Sequence, residues 1–252
     1  MMAMKSKLFL SGFTLIELAM VLFIVALILG GVLTPLSTRL EQANRKQAEE
    51  MLKEIKSSLI GYALVNGHLP CPDCPLGANA NCTAANSDDG VEDGMDSVPS
   101  IAVRPNFNTC IVQVGNVPWA TLGVPEFDPW GKRYVYSVDQ TFADDVDGTG
   151  CATSTAGMSF ALCSTTGGMT VQDVSGNAIA SQVRALILSY GADGQAFGGT
   201  APASVSELEN WWTDPDGTFI SNDYIANQFD DIVNWITTPE LIYRMVSAER
   251  LP

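Results

Sequence analysis

Histidine is all but missing from this 252-residue chain: His68 is the only one. A hydrolase built on an imidazole base would have to use that residue, and no Gly-x-Ser-x-Gly elbow accompanies it. Positive charge is scarce as well, with 13 Lys and Arg against 28 Asp and Glu and a formal net charge of −15. From Ser57 onward the imbalance is 23 acids against six bases. Nucleic acid and anionic lipid both reward clustered Lys and Arg, so neither is an expected partner of that part. Cysteine is absent before Cys71, and no tandem repeat is visible. The most telling absence is of charge itself: of the 22 residues from Phe13 to Thr34, only Glu17 is charged.

That run defines the N-terminal organisation. A helix of its length spans roughly 33 Å, enough to cross a bilayer. A carboxylate near the start of such a helix is costly in lipid and marks a function or a specific partner. The basic residues Lys5 and Lys7 lie before the apolar run. A cut after Gly12 would remove this leader, residues 1–12, and keep the helix, whereas a secretory signal loses its apolar region. Thr14 and Glu17 also have the spacing of a capping box, a plainer reading that accounts for neither Gly12 nor the leader.

Gly12-Phe13-Thr14-Leu15-Ile16-Glu17 resembles the type III signal of type IV pilins and pseudopilins. The resemblance implies that a prepilin peptidase cleaves between Gly12 and Phe13 and methylates the new terminus on Phe13. It implies that Glu17, fifth in the mature chain, neutralises the terminal amine of a neighbouring pilin or pseudopilin subunit during assembly. Opposite charges in a low dielectric cost far less paired than apart. The implied location is the bacterial inner membrane, with a periplasmic domain, and then a pilus or pseudopilus.

Beyond Pro35 the apolar residues Leu40, Ala48, Leu52, Ile55, Leu59 and Ala63 recur at helical spacing, among Arg39, Arg45, Lys46, Lys53 and Lys56 and several glutamates. The expectation is a helix with a transmembrane half over 13–35 and an amphipathic half over 36–66, with Gly30, Gly31 and Pro35 as points where it can kink. Residues 67–252 form the globular part, with a Cys-rich insertion over 71–110. Short strands are expected at 110–114, 133–138, 159–162, 185–189 and 232–236, and a final helix after Thr238. The fold class is α+β, a long N-terminal helix packed on an antiparallel sheet.

The six cysteines Cys71, Cys74, Cys82, Cys110, Cys151 and Cys163 point to disulfides in an oxidising compartment. The favoured pairing is Cys151 with Cys163, the other four pairing among themselves in an order that spacing leaves open. Cys71-Pro72-Asp73-Cys74 also has redox or zinc spacing, but three prolines crowd it and no second Cys or His pair is close.

Two further segments resemble major pseudopilins of type II secretion: Asp128-Pro129-Trp130-Gly131-Lys132, and Gly191-Ala192-Asp193-Gly194 with Phe229-Asp230-Asp231. The resemblance implies a loop that holds calcium through carboxylates and backbone carbonyls, with Asp193 and Asp230 or Asp231 as ligands. Some thirty residues separate Gly199 from Asp230, more than the family loop has. Two other acidic clusters compete for a cation: Asp88, Asp89, Glu92, Asp93 and Asp96, and Asp144, Asp145 and Asp147. Ca²⁺ takes six to eight oxygen ligands, which Asp-rich turns supply. The reading is a minor pilin or pseudopilin, a structural subunit and not an enzyme. The second reading is a filament-displayed adhesin with Trp211-Trp212 as a ligand platform, and the third a membrane-tethered hydrolase.

Overall fold

The computed structural model describes residues 13–95, 109–144, 151, 157–163, 168–194, 202, 204–211, 217–225 and 228–251, without the side chains of 29–37 and 95. The protein is α+β and divides into two compact units, residues 1–44 and 45–252. One helix, α1 (Leu15–Asn66), contributes to both, and Gly30, Gly31 and Pro35 do not interrupt it. In the first unit every described residue from 13 to 28 is exposed on all faces of the helix. Among the described residues no helix is long and apolar enough to cross a membrane.

The second unit is built on the other half of α1. Ala48, Leu52, Ile55, Leu59 and Ala63, spaced three or four apart, are all buried in one stripe. Gly67 ends the helix with φ +86°, its N–H donating to Ala63 O at 2.8 Å. A Cβ at Gly67 would lie 1.9 Å from Gly157 O, so only glycine fits there.

The stripe packs on a six-stranded sheet. β3 (Val114–Asn116), β4 (Val135–Val138) and β6 (Ala178–Ser189) pair antiparallel in that order. β5 (Met169–Gln172) and β8 (Ile232–Thr237) also pair antiparallel with β6, whereas β7 (Thr218–Ile220) runs parallel to β5. A separate two-residue ribbon joins β1 (Gly94–Met95) to β2 (Thr109–Cys110), and a one-turn helix, α2 (Trp119–Leu122), follows β3. Tyr134, Tyr136, Ala185, Ile187 and Ile236 face α1, while Val135, Val183, Leu186 and Leu188 face a second core with Trp211 and Phe219. Val183 and Ala185 are two apart yet face opposite cores. The register shift between them in the β6–β8 pairing supplies the extra residue of a bulge, which turns the strand over.

After β8 the chain passes into α4 (Thr238–Ser247), with Pro239 in its first turn as expected. Leu241 and Met245 of α4 complete the α1 core. The strand expected at 159–162 is absent. Ser159 N instead bonds Gly67 O, and Phe160 stacks on Phe142 with ring centroids 4.7 Å apart. Its apolar residues record burial under the helix end rather than strand pairing.

The disulfides are Cys71–Cys110, Cys74–Cys82 and Cys151–Cys163. Cys71 and Cys74 are thus bonded to different partners, which removes the redox and zinc readings of that motif. One buried charge braces the sheet: Arg184 pairs with Asp139, donates to Thr238 Oγ1 at 2.6 Å and lies 4.4 Å from the Phe142 ring centroid. Nothing in the local sequence pattern marks that pair.

Candidate cation site

Two of the segments singled out by their sequence interlock beside the end of β6. Asp128 folds its own turn, its Oδ1 accepting from Trp130 N at 3.0 Å and Lys132 N at 2.8 Å. Its Oδ2 accepts from Ser189 Oγ at 2.6 Å, and that hydroxyl accepts in turn from Gly191 N at 3.3 Å. Lys132 Nζ then donates to Gly191 O and Ala192 O, each at 2.8 Å. The buried carboxylate of Asp128 therefore ties the Asp-Pro-Trp-Gly turn to the Gly-Ala-Asp-Gly loop.

The loop closes on Asp230, just before β8. Asp230 Oδ2 accepts from Ala192 N at 2.6 Å and Asp193 N at 3.2 Å. Gly191 has φ +65°, and a Cβ there would come within 2.4 Å of Asp230 Cγ, so this close approach requires glycine. Asp230 O accepts from Arg45 Nη1 of α1 at 2.9 Å, the guanidinium lying 4.6 Å from the Tyr224 ring centroid. Asp230 N donates to Glu207 Oε1 at 3.1 Å, from the short helix α3 (Val205–Leu208).

Carboxylate oxygens of Asp193, Glu207 and Asp230 all lie within 4.8 Å of one another. Glu207 and Asp230 are buried and Asp193 is exposed, so the cluster is open on one side. Asp230 Oδ1 is buried and accepts no hydrogen bond among the described residues. Burial, and then Asp193 beside it, push the Asp230 carboxyl up to about 7. Burial raises Glu207 too, with the Asp193 charge adding to it. Crowded, desolvated carboxylates of one sign need either protons or a cation. The residues fit a hard cation on chemistry as well as charge: three oxygen donors, one of them an orphaned buried atom. Asp193, Glu207 and Asp230 are the side chains that could hold it.

Of the alternatives in the sequence, Asp230 rather than Asp231 joins Asp193. Asp231 is held by Asn210 instead, its Oδ2 accepting from Asn210 Nδ2 at 2.8 Å, and burial holds its carboxyl well above the usual range. Successive residues of an extended segment face opposite sides, so only one of the two could reach the loop. Sequence reasoning missed Glu207. It lies in the long stretch between Gly199 and Asp230, where no motif marks it, and that stretch delivers a carboxylate.

The competing cluster in the Cys-rich insertion is spent on hydrogen bonds. Asp88 pairs with Arg133 at 2.7 Å. Glu92 accepts from Tyr62 and from Cys71 N, Asp93 from Cys74 N, and Asp89 from Val91 N. Burial pushes Asp73 up to about 7 and Asp93 to about 6. Asp96, Asp145 and Asp147 lie outside the described residues, as do Gly199 and Trp212. Trp211 is buried against Tyr190, ring centroids 5.4 Å apart, and so serves as core rather than as a ligand platform. His68 sits edge-on to Tyr62, with its Nδ1 2.9 Å from Leu69 O.

At the N-terminus Gly12 lies outside the described residues, and Phe13 and Glu17 are exposed. Thr14 Oγ1 accepts from Glu17 N at 3.3 Å, which is half of a capping box. Its Glu17 carboxylate remains exposed for other use. No family model, curated protein or solved structure matches the chain.

Proposed function

We propose that this protein is a structural subunit, a minor pilin or pseudopilin, assembled through its N-terminal helix into a type IV pilus or type II secretion-like filament. The observation that carries the reading is the motif from Gly12 to Glu17 at the head of a helix whose described apolar side chains have no cover. Phe13, Leu15, Ile16, Met20 and Phe23 are each at least 65% exposed. Such a surface needs a bilayer or other subunits around it. In this reading residues 13–35 cross the inner membrane until assembly, and the second unit is periplasmic. Three disulfides suit an oxidising compartment.

Calcium at Asp193, Glu207 and Asp230 would serve the domain as a structural ion, not as a reagent. It would neutralise carboxylates that the fold has already desolvated. The chain performs no reaction of its own in this proposal.

Intact-mass analysis of membrane-extracted protein tests the assignment. The expected result is loss of residues 1–12 and one added methyl on Phe13, with Gly12→Ala left unprocessed because the peptidase needs close backbone approach there. Normal processing of Gly12→Ala, or a mature terminus elsewhere, overturns it.

A further inference from the structure

We propose that Lys132 is the resident cation of the acidic loop, a positioning residue that shapes Gly191–Asp193 before any metal arrives. The inference deepens the cation-site reading but stands on its own geometry. A trans peptide sends its C=O and its N–H to opposite sides, and the described chain has no cis peptide bonds. The peptide joining Gly191 to Ala192 presents its carbonyl to Lys132 Nζ at 2.8 Å and its N–H to Asp230 Oδ2 at 2.6 Å. The next peptide repeats the arrangement, with its carbonyl 2.8 Å from Lys132 Nζ and its N–H 3.2 Å from Asp230 Oδ2. Two peptide dipoles thus lie side by side between an ammonium and a carboxylate, each aligned with the field of the pair.

Both ends of this sandwich are anchored. Asp128 Oδ1 holds the Lys132 backbone at 2.8 Å, and Asp128 Oδ2 reaches Gly191 N through Ser189 Oγ. Asp230 is fixed by Arg45 on its carbonyl and Glu207 on its N–H. Two consequences follow. The carbonyl oxygens of Gly191 and Ala192 are engaged on the face away from Asp230, so a cation there draws on the carboxylates of Asp193, Glu207 and Asp230. The loop also keeps its shape without a divalent ion, which adds neutralisation to a site already formed.

Amide hydrogen exchange on the detergent-extracted full chain tests this, read on a peptide spanning 189–194. In chelator, wild-type Ala192 and Asp193 amides should be protected. Lys132→Met keeps length and removes charge, and should speed their exchange at least tenfold while the β6 amides of 183–188 keep theirs. Lys132→Arg, which can still donate to two carbonyls, should restore protection. Free exchange of the wild-type loop in chelator overturns the proposal. So does an equal loss of protection in β6 of Lys132→Met, which would mean general unfolding, or failure of Lys132→Arg to rescue. Added Ca²⁺ reads the other proposal separately: if it slows exchange in neither protein, the calcium reading fails while the chelator arm still judges Lys132.

Discussion

The crowding of Asp193, Glu207 and Asp230 makes a stability prediction with an unusual sign. Folded Asp230 keeps its proton up to about pH 7, whereas in the unfolded chain an aspartate releases it near 4. Between those values the folded state binds the extra proton. In chelator its contribution is therefore fully present below about pH 4, is lost as pH rises through about 7, and stays lost above. The difference between about 7 in the folded chain and about 4 in the unfolded one corresponds to at most ~4 kcal/mol, and water entering past the exposed Asp193 brings this to about 2 kcal/mol. Asp230→Asn removes the charge and retains the shape. Its carbonyl can still accept from Ala192 N and Asp193 N, and its amide replaces the orphaned Oδ1 with donors facing the carboxylates of Asp193 and Glu207. In chelator at pH 8 the variant should therefore melt higher than wild type, by roughly 4–8 °C for a domain of this size.

Calcium should reverse the order. At a hundredfold excess over Kd it stabilises wild type by about 2.7 kcal/mol, and Asp230→Asn by little or nothing. Asp88→Ala should leave that response intact, since the Asp88 carboxylate pairs with Arg133 outside the cluster. Asp73, Asp93, Glu207 and Asp231 are raised as well and tilt the whole profile the same way, so the difference between wild type and Asp230→Asn isolates one group. Tryptophan-monitored melting of the detergent-extracted chain between pH 5 and 8 is the assay. The reasoning is refuted if chelated wild type grows more stable over that range, or if Asp230→Asn melts below wild type in chelator at pH 8.

Glu17→Ala and Glu17→Gln should both insert and be cleaved yet fail to enter filaments, measured by subunit content of sheared fractions, because an unpaired amine in lipid costs on the order of several kcal/mol. Incorporation of Glu17→Gln at the wild-type level would favour the capping role that Thr14 already supports. Gly191→Ala should abolish the calcium response and cost on the order of 1–3 kcal/mol in chelator melts, since its Cβ would sit 2.4 Å from Asp230 Cγ at a left-handed φ. Among the disulfides, replacing Cys71 and Cys110 by Ser should cost about 4 kcal/mol and replacing Cys74 and Cys82 about 2.5, following closed loops of 39 and 8 residues. Equal losses in denaturant melts would count against loop closure as the cause.

The α1 stripe was legible because a helix folding onto a sheet repeats its contact every three or four residues, and Ala48, Leu52, Ile55, Leu59 and Ala63 carry that period unbroken. β4 and β8 were legible for the converse reason: β-branched and aromatic residues bounded by turns have few other uses. β5 and β7 were not. Met169–Gln172 and Thr218–Ile220 are three or four residues long, too short for alternation to show. The first seven residues of β6 also escaped notice, because Ala178, Ile179 and Gln182 are exposed and pattern as a loop would.

The site divides along the same line. Asp193 could be paired with Asp230 or Asp231 only through the resemblance of Gly191-Ala192-Asp193-Gly194 and Phe229-Asp230-Asp231 to a pseudopilin calcium loop; the turn glycines beside Asp193 mark a loop but choose no distant partner. Choosing Asp230 over Asp231 required knowing which side of the chain faced the loop, and one residue of register decides that. Glu207 and Lys132 were beyond reach for a different reason. Each acts across a long sequence separation, on a backbone atom rather than on a side chain: Glu207 on Asp230 N, Lys132 on the carbonyls of Gly191 and Ala192. Backbone atoms carry no residue identity, so a side chain whose partner is a peptide group leaves no matching residue type to search for. Only the folded arrangement shows that the lysine following Asp-Pro-Trp-Gly lies on one side of two peptides and the aspartate before β8 on the other.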